Sequence, residues 1–199
     1  MDKDIISNIK SLGIDMIHRA GSGHPGIVLG AAPIIYTLFA YHLNINVNDP
    51  QWINRDRFVM SAGHGSALLY ATMFMAGYPL TIDDLKSFRK IHSKTPGHPE
   101  YGLTSGVEMS TGPLGQGIAS AVGMALGGKI LETRYQLHPL AKKKQTRKML
   151  DHRVYVLCGD GDLMEGVSYE ACSFAGSHNL DNLIVLYDSN QVSLDGGTE

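Results

Sequence analysis

The chain has 199 residues, a formal net charge of −2, and 43% hydrophobic and 18% charged residues. This length can bury a proper core and predicts one domain over residues 1–199, with the composition of a globular protein. The near-neutral charge argues against a nucleic-acid-binding protein. Two cysteines, Cys158 and Cys172, make no disulfide framework, and no basic leader precedes an apolar run. We therefore expect reduced thiols and a cytoplasmic protein.

Two helices are predicted at the start of the chain. Ile5, Ile9 and Ile17 recur near helical spacing and indicate an amphipathic helix that ends near Ala20. The window 26–43 is the most apolar part of the sequence, but it is short and contains Pro33. It therefore predicts a buried helix rather than a membrane span.

A glycine loop, residues 21–26, lies between these helices and reads Gly-Ser-Gly-His-Pro-Gly. Its letters match a dinucleotide-binding fingerprint, but that motif works only between a strand and a helix. Because a helix precedes the loop here, we reject the dinucleotide interpretation. The histidine in this loop, His24, is then either a simple turn residue or a site residue.

The first sheet strand is predicted at residues 55–61, and a helix at 66–76 follows it. His64 lies between them in a Gly-His-Gly turn, at the carboxyl end of the predicted strand. Open α/β sheets bind ligands at this end, which favours a functional role for His64.

A short helix is predicted from Ile82 to Ile91, with Thr81 as its N-cap and acidic residues in its first turn. The following loop, Thr-Pro-Gly-His-Pro-Glu at residues 95–100, is too irregular for assignment by periodicity. It contains His98, the histidine of a third Gly-His pair in the chain.

A second glycine loop, Thr-Gly-Pro-Leu-Gly-Gln-Gly at residues 111–117, opens a predicted helix from 118 to about 135. Free N–H groups at such a helix start can bind an anion or a polar ring. The loop lacks the Gly-Lys-Ser/Thr ending of a P-loop. The basic run at 142–148 could contact phosphate or nucleic acid, although a solvated loop fits the overall charge better.

The last part of the chain predicts a strand at 154–158, a helix at 165–177 and a second strand at 183–187. A crossover of this length makes the two strands parallel and the connection right-handed. Both strands then end at the same edge of the sheet.

Asp160 follows the first of these strands and Asn190 follows the second. Carboxylate and amide oxygens at one sheet edge suit Mg²⁺, which usually completes its shell with phosphate and water. Gly159 and Gly161 would let the backbone bend sharply and approach a phosphate. An isolated Gly-Asp-Gly could also be a solvated turn. An EF-hand is excluded because Met164 replaces a required oxygen ligand.

The residues quoted so far resemble motifs of one enzyme family. Gly159-Asp160-Gly161 followed by Asn190 resembles the diphosphate-binding motif of thiamine diphosphate enzymes. The extended run Gly-Asp-Gly-Asp-Leu-Met-Glu-Gly, the Ser-Gly-His-Pro-Gly loop and the Gly-Pro-Leu-Gly-Gln-Gly loop are similar to those of transketolases. The resemblance covers nearly the whole chain in the family's order.

The resemblance implies an α/β thiamine diphosphate-binding fold, a three-layer parallel sheet flanked by helices, incomplete at its C-terminus. It implies transfer of a two-carbon ketol unit from a ketose phosphate to an aldose phosphate, with thiamine diphosphate and Mg²⁺ as cofactors. Each role that the resemblance implies is assigned to a residue of this sequence that matches the family's motif. The implied metal ligands are Asp160, Asn190 and the Val192 carbonyl. The residues implied to contact the cofactor are His64, Gly112, Pro113, Leu114, Gly161 and Asn190. The residues implied to contact the substrate and transfer protons are His24, His64 and His98.

The chain departs from the family in length. The pyrimidine-binding and C-terminal domains, with the glutamate that activates the cofactor, are absent from this sequence. We therefore expect no turnover by this chain alone, and expect a complementary C-terminal transketolase chain as partner in a homo- or hetero-oligomer. Glu165 matches a glutamate at the family's subunit interface. No nucleic-acid or membrane partner is expected.

Two alternatives stay open at this point. The chain could be a truncated, non-catalytic fragment that at most binds metal and diphosphate. Among enzymes, dihydroxyacetone synthase shares these motifs, and deoxyxylulose phosphate synthase is a weaker match because both the Asp-Leu-Met-Glu-Gly continuation and the Gly-Pro-Leu-Gly-Gln-Gly loop are present.

Overall fold

A computed structural model describes residues 1–136, 150–193 and 196–197 of the chain. The described chain combines helices and strands in an α/β architecture. The helices are α1 (Asp2–Ala20), α2 (Pro25–Tyr41), α3 (Ser66–Ala76), α4 (Ile82–Lys86), α5 (Gln116–Gln136), α6 (Asp160–Met164) and α7 (Gly166–Ser177), with a 3₁₀ turn at Gly63–Gly65. The strands are β1 (Arg57–Met60), β2 (Val154–Gly159), β3 (Leu183–Asp188), β4 (Val192–Ser193) and β5 (Gly196–Gly197). The basic run at 142–148 lies outside the described residues.

The main sheet has three parallel strands in the order β1-β2-β3. The strand-helix-strand unit predicted for the last part of the chain is confirmed, with Val154 paired to Leu183 and Gly159 paired to Asp188. Since β1 is also parallel to β2, the carboxyl ends of all three strands lie at one edge. A short antiparallel pair, β4 with β5, follows the third strand.

The core lies in two layers, one on each face of this sheet. The side chains of β2 alternate between the layers, as the two-residue period of a strand requires. Tyr155 and Leu157 pack with α1, α2 and α3, whereas Val156 and Cys158 pack with α5 and α7. This arrangement confirms the three-layer α/β fold predicted from the sequence.

The two N-terminal helices are confirmed with small changes of boundary. Helix α1 ends where Gly21 adopts a left-handed φ of 65°. Helix α2 begins at Pro25, where the missing proline N–H costs nothing, and continues through Pro33. Seven of its residues are buried, as the prediction of a buried helix requires. In the described part of the chain, no helix has the length and apolarity needed to cross a membrane.

Two predicted elements differ from the structure. Helix α4 stops at Lys86 rather than Ile91, because the N–H of Arg89 bonds to the Thr95 carbonyl and Arg89 takes a φ of +63°. The predicted Thr81 cap is present and forms a capping box with Asp84. Strand β3 was expected to be buried, but Val185 is exposed, and within the described residues β3 is an edge strand that pairs only with β2.

The predicted sharp bend at the Gly-Asp-Gly motif is also wrong in detail. Asp160 begins a single helical turn, α6, directly after β2. Neither Gly159 nor Gly161 has a positive φ, so neither glycine is needed for backbone conformation. At Gly161 the requirement is space, since a Cβ there would lie 2.9 Å from Ser193 Oγ and 3.1 Å from Leu114 Cδ1.

Candidate functional site

Asp160 joins the carboxyl ends of β2 and β3. Its side chain is only 7% exposed. One carboxylate oxygen accepts the backbone N–H groups of Asn190, at 3.1 Å, and Gln191, at 2.9 Å. The other accepts the hydroxyl of Tyr187, and this hydrogen bond raises the pKa of Tyr187. The structure therefore brings Asp160 and the Asn190 turn together at the sheet edge.

The Asn190 side chain is oriented by its own turn rather than by Asp160. Its Oδ1 accepts the Val192 N–H at 3.0 Å, and its Nδ2 donates to the Asp188 carboxylate at 3.4 Å. Both side chains are exposed or half-buried at the end of β3. Asp160, Asn190 and Val192 are thus adjacent, but the contact between Asp160 and Asn190 runs through the backbone.

Three histidines from three separate loops surround this edge. His24 is the N-cap residue of α2, His64 lies in the 3₁₀ turn after β1, and His98 lies in the loop that precedes α5. The rings of His24 and His64 meet edge to face, with centroids 5.2 Å apart. The ring of His98 packs against the backbone at Gly112. Histidines far apart in sequence therefore share one surface.

All three imidazoles have pKa values below the ordinary value of 6.5. Burial is the largest cause in each case, since it penalises the charged form. For His24 and His98 the nearby positive charge of Arg89 acts in the same direction. For His64 repulsion from His24 adds to burial, and the Asp162 carboxylate partly offsets both. Neutral imidazoles near pH 7 can donate or accept a proton.

The glycine loop at 111–115 runs beside the histidines and the Asp160 turn. The Thr111 hydroxyl donates to the Met60 carbonyl at 2.7 Å, which fixes the loop to the end of β1. A Cβ at Gly63 would lie 2.7 Å from the Gly112 nitrogen, so the two backbones touch. Leu114 in turn contacts Gly161. Of the predicted cofactor residues, Pro113 is exposed, and Gly112, Leu114 and Gly161 are half-buried.

Sequence reasoning missed Asp162, the second aspartate of the motif. Its side chain is 1% exposed and accepts hydrogen bonds from Ser61, Gly115 and Gly159. The only sign of its role in the sequence was the acidic residue itself, and a solvent-exposed aspartate in a turn would explain that residue equally well. Its inward direction follows from the helical turn of α6, which the sequence did not predict.

The oxygen donors at this edge fit a hard divalent cation better than a soft one. Among the described residues, no group of three or more His, Cys, Asp or Glu side chains could hold a metal ion. The adjacent donors are one carboxylate, at Asp160, one amide oxygen, at Asn190, and backbone carbonyls. Mg²⁺ is usually bound by only a few protein oxygens, and phosphate and water complete its coordination shell.

Comparison with known proteins assigns the chain to a family. The family model described as transketolase, thiamine diphosphate binding domain, matches residues 1–199. This chain belongs to the transketolase family. The resemblance seen in the sequence motifs is thereby confirmed over the full length of the chain.

Named relatives and solved structures agree with this assignment. The chain is 54% identical over 196 residues to the transketolase of Bacillus subtilis, covering 98% of this chain and 28% of that protein. It is 53% identical over 195 residues to a probable transketolase of Streptococcus pneumoniae, covering 98% and 29%. The transketolase structure from Leishmania mexicana matches with a TM-score of 0.93 and 49% identity, over 99% of this chain and 28% of that one.

The matched region is the N-terminal part of the longer transketolases. The chain spans less than a third of the length of these relatives. Family membership therefore establishes the thiamine diphosphate-binding domain and its fold.

Proposed function

We propose that this chain forms the N-terminal, cofactor-binding part of an enzyme that transfers a two-carbon ketol unit from a ketose phosphate to an aldose phosphate. The observation that carries the proposal is the meeting, at one sheet edge, of the Asp160–Asn190 turn, the 111–115 glycine loop and three histidines. The match to the transketolase thiamine diphosphate-binding domain supports it.

Mg²⁺ would be held by the Asp160 carboxylate, the Asn190 amide oxygen and the Val192 carbonyl. Asp160 is already fixed by the backbone N–H groups of residues 190 and 191, so its carboxylate is pre-oriented. Cation binding would use the outward oxygen of Asn190, which now accepts only one backbone hydrogen bond in the described chain. The cation would carry the diphosphate of the cofactor.

Thiamine diphosphate, when bound, supplies a nucleophilic ring carbon and an electron sink for the broken carbon–carbon bond. Gly112, Pro113, Leu114 and Gly161 would line it, together with His64. A Cβ at position 161 would lie 3.1 Å from Leu114 Cδ1, so the absence of a side chain at Gly161 lets the glycine loop lie close to the Gly-Asp-Gly turn.

His24, His64 and His98 would bind the hydroxyl groups of the sugar and move protons at their ring nitrogens. Their lowered pKa values keep the rings neutral near pH 7, so each ring offers one donor and one acceptor nitrogen. The loop that carries His98 is held to α3 by two partly buried hydrogen bonds. The Ser66 hydroxyl donates to the Gly97 carbonyl at 2.7 Å, and the Tyr70 hydroxyl donates to the His98 carbonyl at 3.2 Å.

The complete reaction requires the remaining part of a transketolase. We infer a complementary C-terminal segment, in the same polypeptide or in a separate chain, and an oligomeric enzyme acting on sugar phosphates. The relatives support this inference, because this chain corresponds to only 28% or 29% of their length.

Reconstitution tests the proposal. The chain is mixed with a candidate C-terminal transketolase segment, thiamine diphosphate and Mg²⁺, and two-carbon transfer between a ketose phosphate and an aldose phosphate is assayed. We expect activity only when both protein segments and both cofactors are present. A reconstituted complex that binds the cofactors but transfers no two-carbon unit would contradict the proposal and favour a non-catalytic fragment.

A further inference from the structure

Asp162 lies in the middle of the proposed site without being one of its ligands. It follows Asp160 by two positions in α6, and its side chain is 1% exposed. Its carboxylate accepts three hydrogen bonds, all from groups in other segments or at the end of β2. A buried carboxylate of this kind is costly unless its hydrogen bonds are satisfied.

The three donors come from three parts of the site. Oδ1 accepts the Ser61 hydroxyl at 2.7 Å, at the end of β1, and the Gly115 N–H at 3.0 Å, in the glycine loop. Oδ2 accepts the Gly159 N–H at 3.1 Å, at the start of the Gly-Asp-Gly motif. One side chain therefore connects the glycine loop, the end of β1 and the turn that carries Asp160.

Ser61 extends this connection to helix α5. Its Oγ, which donates to Asp162, also accepts the Ile118 N–H at 3.2 Å. At Gly117 the backbone approaches so closely that a Cβ would lie 2.5 Å from Ser61 Cα. The first turn of α5 and the loop before it are thus held against the end of β1 by the same network.

The chemistry of the network requires a carboxylate. All three groups that face Asp162 are hydrogen-bond donors in this arrangement, and an ionised aspartate offers only acceptors. An asparagine of the same shape would keep one oxygen but would turn an NH₂ group toward a donor. With its oxygen at the Oδ1 position it would lose the Gly159 bond, and in the flipped orientation it would lose the bonds from both Ser61 and Gly115.

We propose that Asp162 is a positioning residue that sets the spacing between the 112–115 loop and the Gly-Asp-Gly turn, so that both can contact one bound thiamine diphosphate. This inference rests on the proposed function for its ligand, whereas the spacing itself is a property of the protein. When hydrogen bonds of this carboxylate are lost, the two segments are held less firmly, and only a fraction of molecules has the arrangement that binds the cofactor. Apparent affinity falls in proportion to that fraction.

The test is Asp162→Asn in the assembled enzyme, meaning this chain together with the remaining transketolase segments. Calorimetry with thiamine diphosphate at saturating Mg²⁺ should show about tenfold weaker binding, as expected if about a tenth of the molecules remain competent. The kcat at saturating thiamine diphosphate should stay within about threefold of the original, because bound cofactor selects the ordered arrangement. Hydrogen exchange should become faster in peptides containing Gly115 and Gly159.

Ser168→Ala is the matched control. The Ser168 side chain is equally buried, and its hydroxyl donates to the Asp162 backbone carbonyl at 2.5 Å. The substitution weakens the same turn without removing the carboxylate. It should lower thermal stability but leave thiamine diphosphate affinity within about twofold, since the competent fraction is unchanged.

Each result decides the inference. Unchanged cofactor affinity and unchanged exchange in Asp162→Asn would overturn it, and so would an equal loss of affinity in Ser168→Ala. If the original enzyme binds no thiamine diphosphate, the proposed function is wrong. The hydrogen-exchange rates of peptides containing Gly115 and Gly159 then still test whether Asp162 sets the spacing between the two segments. If Asp162→Asn does not fold, Ser61→Ala removes one of the three donors to Asp162 together with the acceptor of the Ile118 N–H, and it should give a smaller loss of affinity; no loss would refute the inference.

Discussion

The rings of His24 and His64 lie edge to face with centroids 5.2 Å apart, although one residue caps α2 and the other follows β1. Each ring is partly removed from water, and the two would repel each other if both were charged. The pair is therefore a neutral, hydrogen-bonding surface near pH 7. A fall in pH that protonates these imidazoles should therefore lower the free energy of unfolding.

This gives a prediction for His64. Its folded-state pKa is lowered below 6.5, mainly by burial, so the unfolded chain binds a proton more readily than the folded one. The contribution of His64 to the free energy of unfolding is fully present above about pH 6.5, and it is lost as the pH falls from 6.5 toward the lowered pKa of the folded state. His64→Gln should therefore reduce the slope of unfolding free energy against pH in that window, measured by denaturant titrations at several pH values.

Ser66→Ala is the control for this measurement. Ser66 is buried next to His64 and bonds to the Gly97 carbonyl, but it does not titrate. Its loss should lower stability by a similar amount at every pH. Equal slopes for the original protein and His64→Gln would contradict the assignment of this pH dependence to His64.

A second prediction concerns Gly112, which has a φ of +153° and packs against the His98 ring. Alanine there is strained and its Cβ would lie 3.3 Å from His98 Cγ. Gly112→Ala should reduce stability by about 1–3 kcal/mol and displace the loop from His98. Gly123, exposed in α5 with nothing near its Cβ position, is the control. Gly123→Ala should stabilise by roughly 0.5–1 kcal/mol.

A third prediction concerns the ion pair between Arg55 and Glu108. Both side chains are largely buried, and two hydrogen bonds of 2.7 Å join them. Glu108→Gln leaves a buried guanidinium without its counter-charge, which should cost about 3 kcal/mol in denaturant unfolding. The exposed pair of Lys86 with Asp83 should contribute little by comparison. A negligible effect of Glu108→Gln would contradict this prediction.

A fourth prediction concerns the Thr81 cap of α4. The Thr81 side chain accepts the Asp84 N–H at 3.1 Å, while the Asp84 carboxylate accepts the Thr81 N–H at 2.8 Å. Thr81→Ala should cost about 1 kcal/mol in unfolding free energy. Thr133→Ala, in the exposed part of α5, should be neutral or slightly stabilising, because alanine is the better helix former.

Much of the fold was predictable from local patterns. The apolar strands at 154–158 and 183–187 and the helix between them were found because glycines and polar turns mark their ends. Parallel pairing followed from the length of the crossover, and it places Asp160 and Asn190 at one edge.

The parts that were missed depend on tertiary contacts. The early end of α4 follows from the bond between Arg89 and Thr95, which no periodicity reveals. The role of Asp162 depends on donors from Ser61 and Gly115, which are far from it in the sequence.

The most direct test of the central claim is the Mg²⁺ dependence of thiamine diphosphate binding, measured by calorimetry on the assembled enzyme with Asp160→Ala. Asp151→Ala is the matched control, because Asp151 precedes β2 at the opposite end of the sheet and bonds only to Asn54 among the hydrogen bonds described. We expect Mg²⁺-dependent binding in the original protein and in Asp151→Ala, and its loss in Asp160→Ala. Unchanged binding by Asp160→Ala would contradict the account and place the cation elsewhere.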